Sequence, residues 1–375
     1  MKFSPTGVLF VGDSRSATLF AFSLEASNTA QESNPFNIYN VDQLIANCLE
    51  APLDHITVKD LAIHPLTKEA YIAVHYGHGQ AMAAAIVKVN SAGKVQLLDL
   101  EKTPHTKITL KNPMDPDLKF WNGVELRTLT ITDITYWQEE VFVSGLSNAD
   151  FSSTLYRIPY PFKEVVETSS IEIYHAVHDQ NETRAPIQTM TILPLNGKPH
   201  VLAAYTCTPM VTIPVDKLKD GAHVHGKTIA ELGYGNSPID IIHFQSQDMH
   251  GQTHDQVLVT NKNRKPMLFS VESLSKANQE EGLSSSAGFN VVAPDHMEIP
   301  LAGLIQVDNQ DSQFLIALRR DMETGKLNLI SFRKGIYFRL SDFVSEYTLP
   351  GYVYPESQQH ILQFQQFLKK DEGFL

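Results

Sequence analysis

Three groups of side chains in this chain have the types and spacing to do chemistry. His75-Tyr76-Gly77-His78 sets two imidazoles three residues apart. With the thiol of Cys207 they make a donor set suited to copper or zinc, provided the fold brings the thiol to them. The loop Gly145-Leu146-Ser147-Asn148-Ala149-Asp150-Phe151-Ser152-Ser153 offers Asn148 and Asp150 as oxygen donors. Calcium prefers such hard oxygen ligands, and turns use the same residues for their own backbone hydrogen bonds. Lys262, Arg264, Arg319 and Arg320 concentrate positive charge in two loops of an acidic chain. They could hold a carboxylate or phosphate through charge-assisted hydrogen bonds. Each group also has a plain alternative: exposed loop histidines, a structural turn, and a solvated rim. No Gly-x-Ser-x-Gly occurs and Cys207 has no base beside it in sequence, so the nucleophilic motifs are missing. A buried small hydrophobe is the other reading of a free cysteine. His223-Val224-His225 alternates along a polar stretch and reads as one exposed strand face.

The elements that must position these residues are short and repeat. Apolar runs begin at Val8, Ala70, Glu140, His200, Gln256 and Gln313, at intervals of roughly 60 residues, the signature of a repeat architecture. Each unit reads as four strands. The second unit places them at residues 57–64, 69–75, 83–90 and 95–100, with the turn Asn90-Ser91-Ala92-Gly93 before the last. The fifth and sixth units end on outer strands at residues 288–292 and 336–340. The pattern predicts an all-β chain, a β-propeller of six four-stranded antiparallel blades occupying residues 1–375 as a single domain. Its inner strands lie near Asp60, Asp133, Met190, Asp240 and Leu304, where an aspartate can anchor the neighbouring loop. In such a ring the loop from the second to the third strand and the loop joining blades open on one face, so distant residues collect there. A seventh blade is the alternative, because residues 100–126 have room for another strand pair. The run Asn112-Pro113-Met114-Asp115-Pro116 argues for an excursion instead, since proline cannot donate to a central ladder. Helical spacing is confined to residues 42–48 and to a tail at residues 357–370 expected to pack on the ring. Residues 277–288 read as a loop.

Composition narrows the partners. The 375 residues carry 42 acids against 30 bases, a formal charge of −12. With no basic stripe, nucleic acid is disfavoured, and no apolar run reaches the roughly 18 residues of a membrane-spanning helix. Two cysteines, Cys48 and Cys207, make no disulfide framework. Strand-like sequence begins at once after Met1, which points to a cytoplasmic protein or to one whose leader has been removed, with a periplasmic or secreted location favoured. Gly233-Tyr234-Gly235-Asn236-Ser237-Pro238 lacks the spacing of a phosphate-binding loop and precedes a strand, so turn chemistry explains its glycines.

The run FSPTGVLFVGDSRSATLFAFSL from Phe3 passes from a strand through a Pro-x-Gly turn to a strand ending in aspartate and a third apolar strand. In this it resembles the six-bladed propellers of the gluconolactonase and NHL-repeat kind, a resemblance of blade organisation that covers the whole chain. The resemblance implies a metal-dependent, lactonase-like or esterase-like hydrolase with a divalent, calcium-like cation in the central channel. Asn148, Asn236, Asn261 and Asp308 map onto the ligand role, with Asp150 beside the first and Asp13 as base. Those enzymes present a glutamate from the first blade, whereas the first repeat here has none before Glu25. The residues themselves favour a binding propeller that recognises a small anionic ligand or a protein partner through Lys262, Arg264, Arg319 and Arg320. A copper-handling or redox-associated propeller is the third reading, through His75, His78 and Cys207.

Overall fold

A computed structural model of the chain describes residues 1–24, 34–120, 122–248 and 250–337, with scattered positions beyond 352. The fold is all-β, six antiparallel blades of a β-propeller, with two short helices among the described residues. Blades are numbered here by their order along the chain. Blade I comprises Lys2–Phe3, Val8–Asp13, Thr18–Ser23 and His105–Thr109; blade II comprises Ile56–Ile63, Ala70–Tyr76, Ala83–Val89 and Val95–Leu97. Blade III is built from Asp133–Trp137, Glu140–Leu146, Ser153–Pro159 and Glu167–His175, with Gln180–Glu182 and a parallel strand His223–His225 added at its outer edge. Blade IV takes Ile187–Leu195, Lys198–Tyr205, Pro209–Pro214 and Lys227–Leu232, to which Val291–Val292 is added. Blade V runs Pro238–Gln247, Thr253–Asn261, Met267–Ser270 and His296–Glu298. Blade VI runs Leu304–Asn309, Phe314–Arg320, Leu327–Arg333 and Asn37–Ile38.

Outer strands are where the structure departs from the sequence pattern. Blade VI is closed by Asn37–Ile38, pairing Leu329 with Ile38, where an outer strand at 336–340 was expected. Ile336 lies in a turn, and 338–340 fall outside the described residues. Blade I is closed by His105–Thr109, inside the stretch read as an excursion. The proline-rich run contributes only an isolated bridge, Pro113 to Ser147. Blade V is closed by His296–Glu298, while Val291–Val292 pairs with Glu231 and Leu232 of blade IV. His105–Thr109 and His296–Glu298 are mostly exposed and Asn37–Ile38 has only two residues, so they lack the alternation of burial that marks a strand in sequence. Residues 271–279 form a helix, α2, where a strand end and a loop were expected. Ser270 caps it, accepting from Ser273 N at 3.0 Å. The expected helix near residues 42–48 is present as α1, Val41–Cys48. The tail at 357–370 lies largely outside the described residues.

The chain divides into two compact units, one with blades I, III, IV and most of V, the other with blades II and VI. Neighbours within a unit do not follow chain order. In the first unit, blade I packs on blade III, where Phe10 stacks on Tyr136 with ring centroids 5.6 Å apart. In the second unit, blade II packs on blade VI around Ile63, Ile72, Ile316 and Leu329. Inner strands are stitched side chain to backbone. Asp133 Oδ2 accepts from Met190 N at 2.6 Å, Thr189 Oγ1 from Ile241 N at 3.2 Å, and Asp308 Oδ2 from Ile63 N at 2.8 Å. Asp133, read from sequence as an anchor for a neighbouring loop, bonds here to the neighbouring inner strand Ile187–Leu195. Between blades III and IV the core holds Phe142, Ile173, Ile192 and Val211. Full burial of each such side chain contributes about 1.5–3 kcal/mol.

Candidate functional site

The outer strand of blade III, Glu167–His175, alternates burial strictly: Ile171, Ile173 and His175 face inward, Glu172 and Tyr174 outward. That period places an imidazole at the end of an apolar row. His175 is 1% exposed and both of its ring nitrogens are engaged. Nδ1 donates to Glu182 Oε1 at 3.0 Å, brought alongside by the hairpin that pairs His175 with Gln180. Nε2 lies 2.9 Å from Thr208 Oγ1. Thr208 directs its only hydroxyl hydrogen to Glu231 Oε2, so Nε2 must be the donor and the ring is an imidazolium. Glu231 is fully buried, and its other oxygen accepts from Ala176 N at 2.7 Å.

Electrostatics agree with this proton count. Burial opposes the charge on His175, but hydrogen bonds to Cys207 and Glu182, with the charges of Glu182 and Glu231, outweigh it and raise its pKa to about 9. Burial likewise opposes ionisation of Glu182, yet its bonds to His175 and His178 hold its pKa down at about 2. Glu182 Oε1 accepts from His178 Nδ1 at 2.6 Å as well, and the two imidazole centroids are 3.9 Å apart.

Cys207 completes the group from the turn between Lys198–Tyr205 and Pro209–Pro214. Its φ of 92° is left-handed backbone that a residue with a Cβ adopts at a cost. The turn is held by Thr206 N on Pro186 O at 3.1 Å and by Asn236 Nδ2 on Cys207 O at 3.3 Å. Donor atoms of His175, His178 and Cys207 all lie within 4.8 Å of one another.

Asn236 belongs to the turn after blade IV, which also carries an exposed rim. Gly233 has a φ of 92°, and a Cβ there would lie 2.8 Å from both Arg264 Cζ and Val291 Cγ2, so glycine is needed for close approach. Arg264 Nη1 donates to Tyr234 O at 3.2 Å, and Asn263 Nδ2 to Gly235 O at 3.1 Å. Tyr234 and Phe289 pack edge to face with centroids 4.9 Å apart, yet are 65% and 71% exposed. Lys262 and Arg264 are exposed, whereas Lys265 is paired with Glu298 at 2.8 Å. Asn236 and Asn261 are buried, each with Oδ1 lacking a hydrogen-bond partner among the described residues.

The other expected residues are placed as follows. His75 lies in strand Ala70–Tyr76, and the ring of His78 sits 3.9 Å from that of His55, in the second unit. Cys207 belongs to the first unit, where its imidazole neighbours are His175 and His178. His175-Ala176-Val177-His178 repeats the spacing of His75 and His78, and that was the available signal for it. Asn148 and Asp150 are exposed, and Asn148 N donates to Asn112 O at 2.9 Å. Asp308 serves the inner-strand stitch, and Asp13 accepts from Arg15 N and Ser16 Oγ in its own turn. Arg319 Nε donates to Ala302 O at 2.9 Å and Arg320 Nη1 to Gly325 O at 2.6 Å, both in the second unit, while Lys262 and Arg264 belong to the first. His223 and His225 do lie on one exposed strand face, where Glu172 of the neighbouring strand meets His223 Nε2 at 2.9 Å and His225 Nδ1 at 3.6 Å. In the first unit Arg127 Nε donates to Ser14 O at 3.0 Å, joining the stretch before blade III to the turn after Val8–Asp13.

The chain matches no known family profile and no curated protein. Among solved structures it is similar to BBS1N in complex with ARL6DN soaked with mercury, at 11% identity and a TM-score of 0.30 over 75% of this chain and 66% of that one. The lead-soaked form of the same complex gives 11% and 0.31 over 88% and 74%. Hydrazine synthase of Kuenenia stuttgartiensis gives 11% and 0.32 over 89% and 95%. Likenesses this distant identify no relative, and the functional reading rests on the chain's own residues.

Proposed function

We propose that this chain is a binding propeller that docks an acidic segment of a protein partner on the rim formed by Tyr234, Phe289, Lys262 and Arg264. The observation that carries this reading is the pair Tyr234 and Phe289, two large rings packed on each other and left open to solvent. Aromatic side chains beside arginine are the residues that dominate protein interfaces when covered. Gly233 and the bond from Arg264 to Tyr234 O fix the rim in advance, which lowers the ordering cost of association. Lys262 and Arg264 supply charge complementary to carboxylates, a local exception in a chain of net charge −12.

Selection of a random displayed peptide library on the purified protein tests the reading. Enriched peptides are expected to carry Asp or Glu beside aromatic or aliphatic residues and to lose at least about tenfold in affinity against Tyr234→Ala or the double variant Lys262→Ala, Arg264→Gln. Enrichment of neutral or basic peptides, or affinities unmoved by these substitutions, would refute it. Succinate and citrate titrated by calorimetry form the second arm. Binding of those small anions with the same residue dependence would reassign the rim to a small-molecule ligand.

A further inference from the structure

We infer that Cys207, His175 and His178 form a binding site for a zinc-class divalent metal ion, with Glu182 as the carboxylate that orients both imidazoles. A thiolate and two imidazoles are the borderline-soft donors such ions select. A tetrahedral ion with metal–nitrogen bonds of about 2.0 Å and a metal–sulfur bond of about 2.3 Å requires its donors about 3.3 to 3.6 Å apart. The three donor atoms already lie within 4.8 Å of one another, so closure asks for side-chain movements on the order of 1 Å.

The stronger argument is the outer layer. Histidines that bind metal almost always donate their other ring N–H to a carboxylate or carbonyl, which sets the tautomer and aims the ligating nitrogen. Here a single oxygen, Glu182 Oε1, accepts from Nδ1 of both rings, at 3.0 Å and 2.6 Å, which turns Nε2 of His178 toward a ligand and leaves Nε2 of His175, 2.9 Å from Thr208 Oγ1, as the nitrogen to be exchanged from hydroxyl to metal. Thr208 and Glu231, both fully buried, lie on the Nε2 side of His175. Cys207 is held in left-handed backbone by the neighbouring turns, at a position where glycine would be relaxed and would carry no thiol.

Loading releases the thiol proton and the Nε2 proton of His175 to solvent and turns Nε2 away from Thr208, whose hydroxyl keeps its bond to Glu231. Three protein ligands leave a fourth position for water or an exogenous group. His178 is exposed at 48% of its side chain, which opens that side of the site to solvent. This site is independent of the docking rim, although Asn236 ties the Cys207 turn to the turn that carries Tyr234.

Cobalt(II) added to the metal-free protein tests the assignment, read by the near-ultraviolet thiolate-to-cobalt charge-transfer band and by displacement with zinc. The measurement uses a Cys48→Ser, His223→Ala background, which removes the other cysteine and the exposed Glu172, His223, His225 group. One equivalent is expected to bind with the band, Cys207→Ser to abolish the band, and Glu182→Gln to weaken binding 10- to 100-fold. His178→Ala, which alters an exposed side chain and keeps the fold, is expected to weaken binding at least about tenfold with an unchanged circular dichroism spectrum. Absence of the band in the folded protein, or cobalt affinity unchanged in His178→Ala, overturns the proposal.

Discussion

Replacing Glu182 by Gln removes the carboxylate that holds the buried His175 charged, and the consequence is a change in how stability depends on pH. The folded-state pKa of His175, about 9, stands above its ordinary value of 6.5. The stabilisation is therefore fully present below pH 6.5 and is lost as pH rises through 9. At about 1.4 kcal/mol per pH unit, that interval corresponds to about 3 kcal/mol, an order-of-magnitude figure for a pair that is mostly buried. The assay is urea unfolding followed by circular dichroism, in chelator-containing buffers from pH 6 to 9.5. Comparing wild type with Glu182→Gln cancels the contributions of groups that do not touch Glu182. Wild type is expected to exceed the variant by up to about 3 kcal/mol at pH 6, with the gap closing as pH passes 9. A gap independent of pH, or wild-type stability that stays flat across the range, would refute the imidazolium assignment. On the acid side Glu182, depressed from 4.5 to about 2, contributes stability that is present above pH 4.5 and lost as pH falls through 2.

Asp133→Ala leaves Met190 N and Ile134 N without their carboxylate acceptor, and a loss of about 2–4 kcal/mol is expected by urea unfolding, against less than about 0.5 for the exposed Asp150→Ala. Thr106→Pro removes a ladder donor opposite Ala21 in the strand that closes blade I, and thermal unfolding should show a loss of about 3 kcal/mol if that strand pairs as seen. Cys207→Gly relieves the left-handed backbone and is expected to stabilise the metal-free protein by about 1 kcal/mol, while Cys207→Ser leaves stability near wild type. Gly233→Ala forces a Cβ against Arg264 and Val291, and amide hydrogen exchange is expected to rise at Tyr234 and Asn236.

The middle strands were legible because they are buried on both faces. Val141 to Leu146 and Val257 to Asn261 are continuously buried, and each opens in sequence on an apolar run, Val-Phe-Val and Val-Leu-Val. The outer strands were not, because two to five mostly exposed residues carry no burial pattern, and their pairing depends on which passing segment lies alongside. His105–Thr109 closing blade I is of this kind, and Asn37–Ile38 closing blade VI, although Ile38 is buried, is too short to show a period. Those pairings also explain why the second blade in the chain packs beside the last, and the first beside the third.

The sequence by itself determined the repeat, the strand content, the turn role of the Gly233 region and the exposure of His223 and His225, because each follows from local periodicity and turn chemistry. The spacing of His175 and His178 was equally visible, and nothing local distinguished it from that of His75 and His78. Tertiary structure alone decided which imidazoles meet the thiol. Period two turns His175 inward, but its approach to Thr208 and Cys207, more than 30 residues on, is set by packing blade III on blade IV. That packing excludes water from Glu231 and His175, and only there do two carboxylates and a hydroxyl become strong enough partners to hold a buried imidazolium.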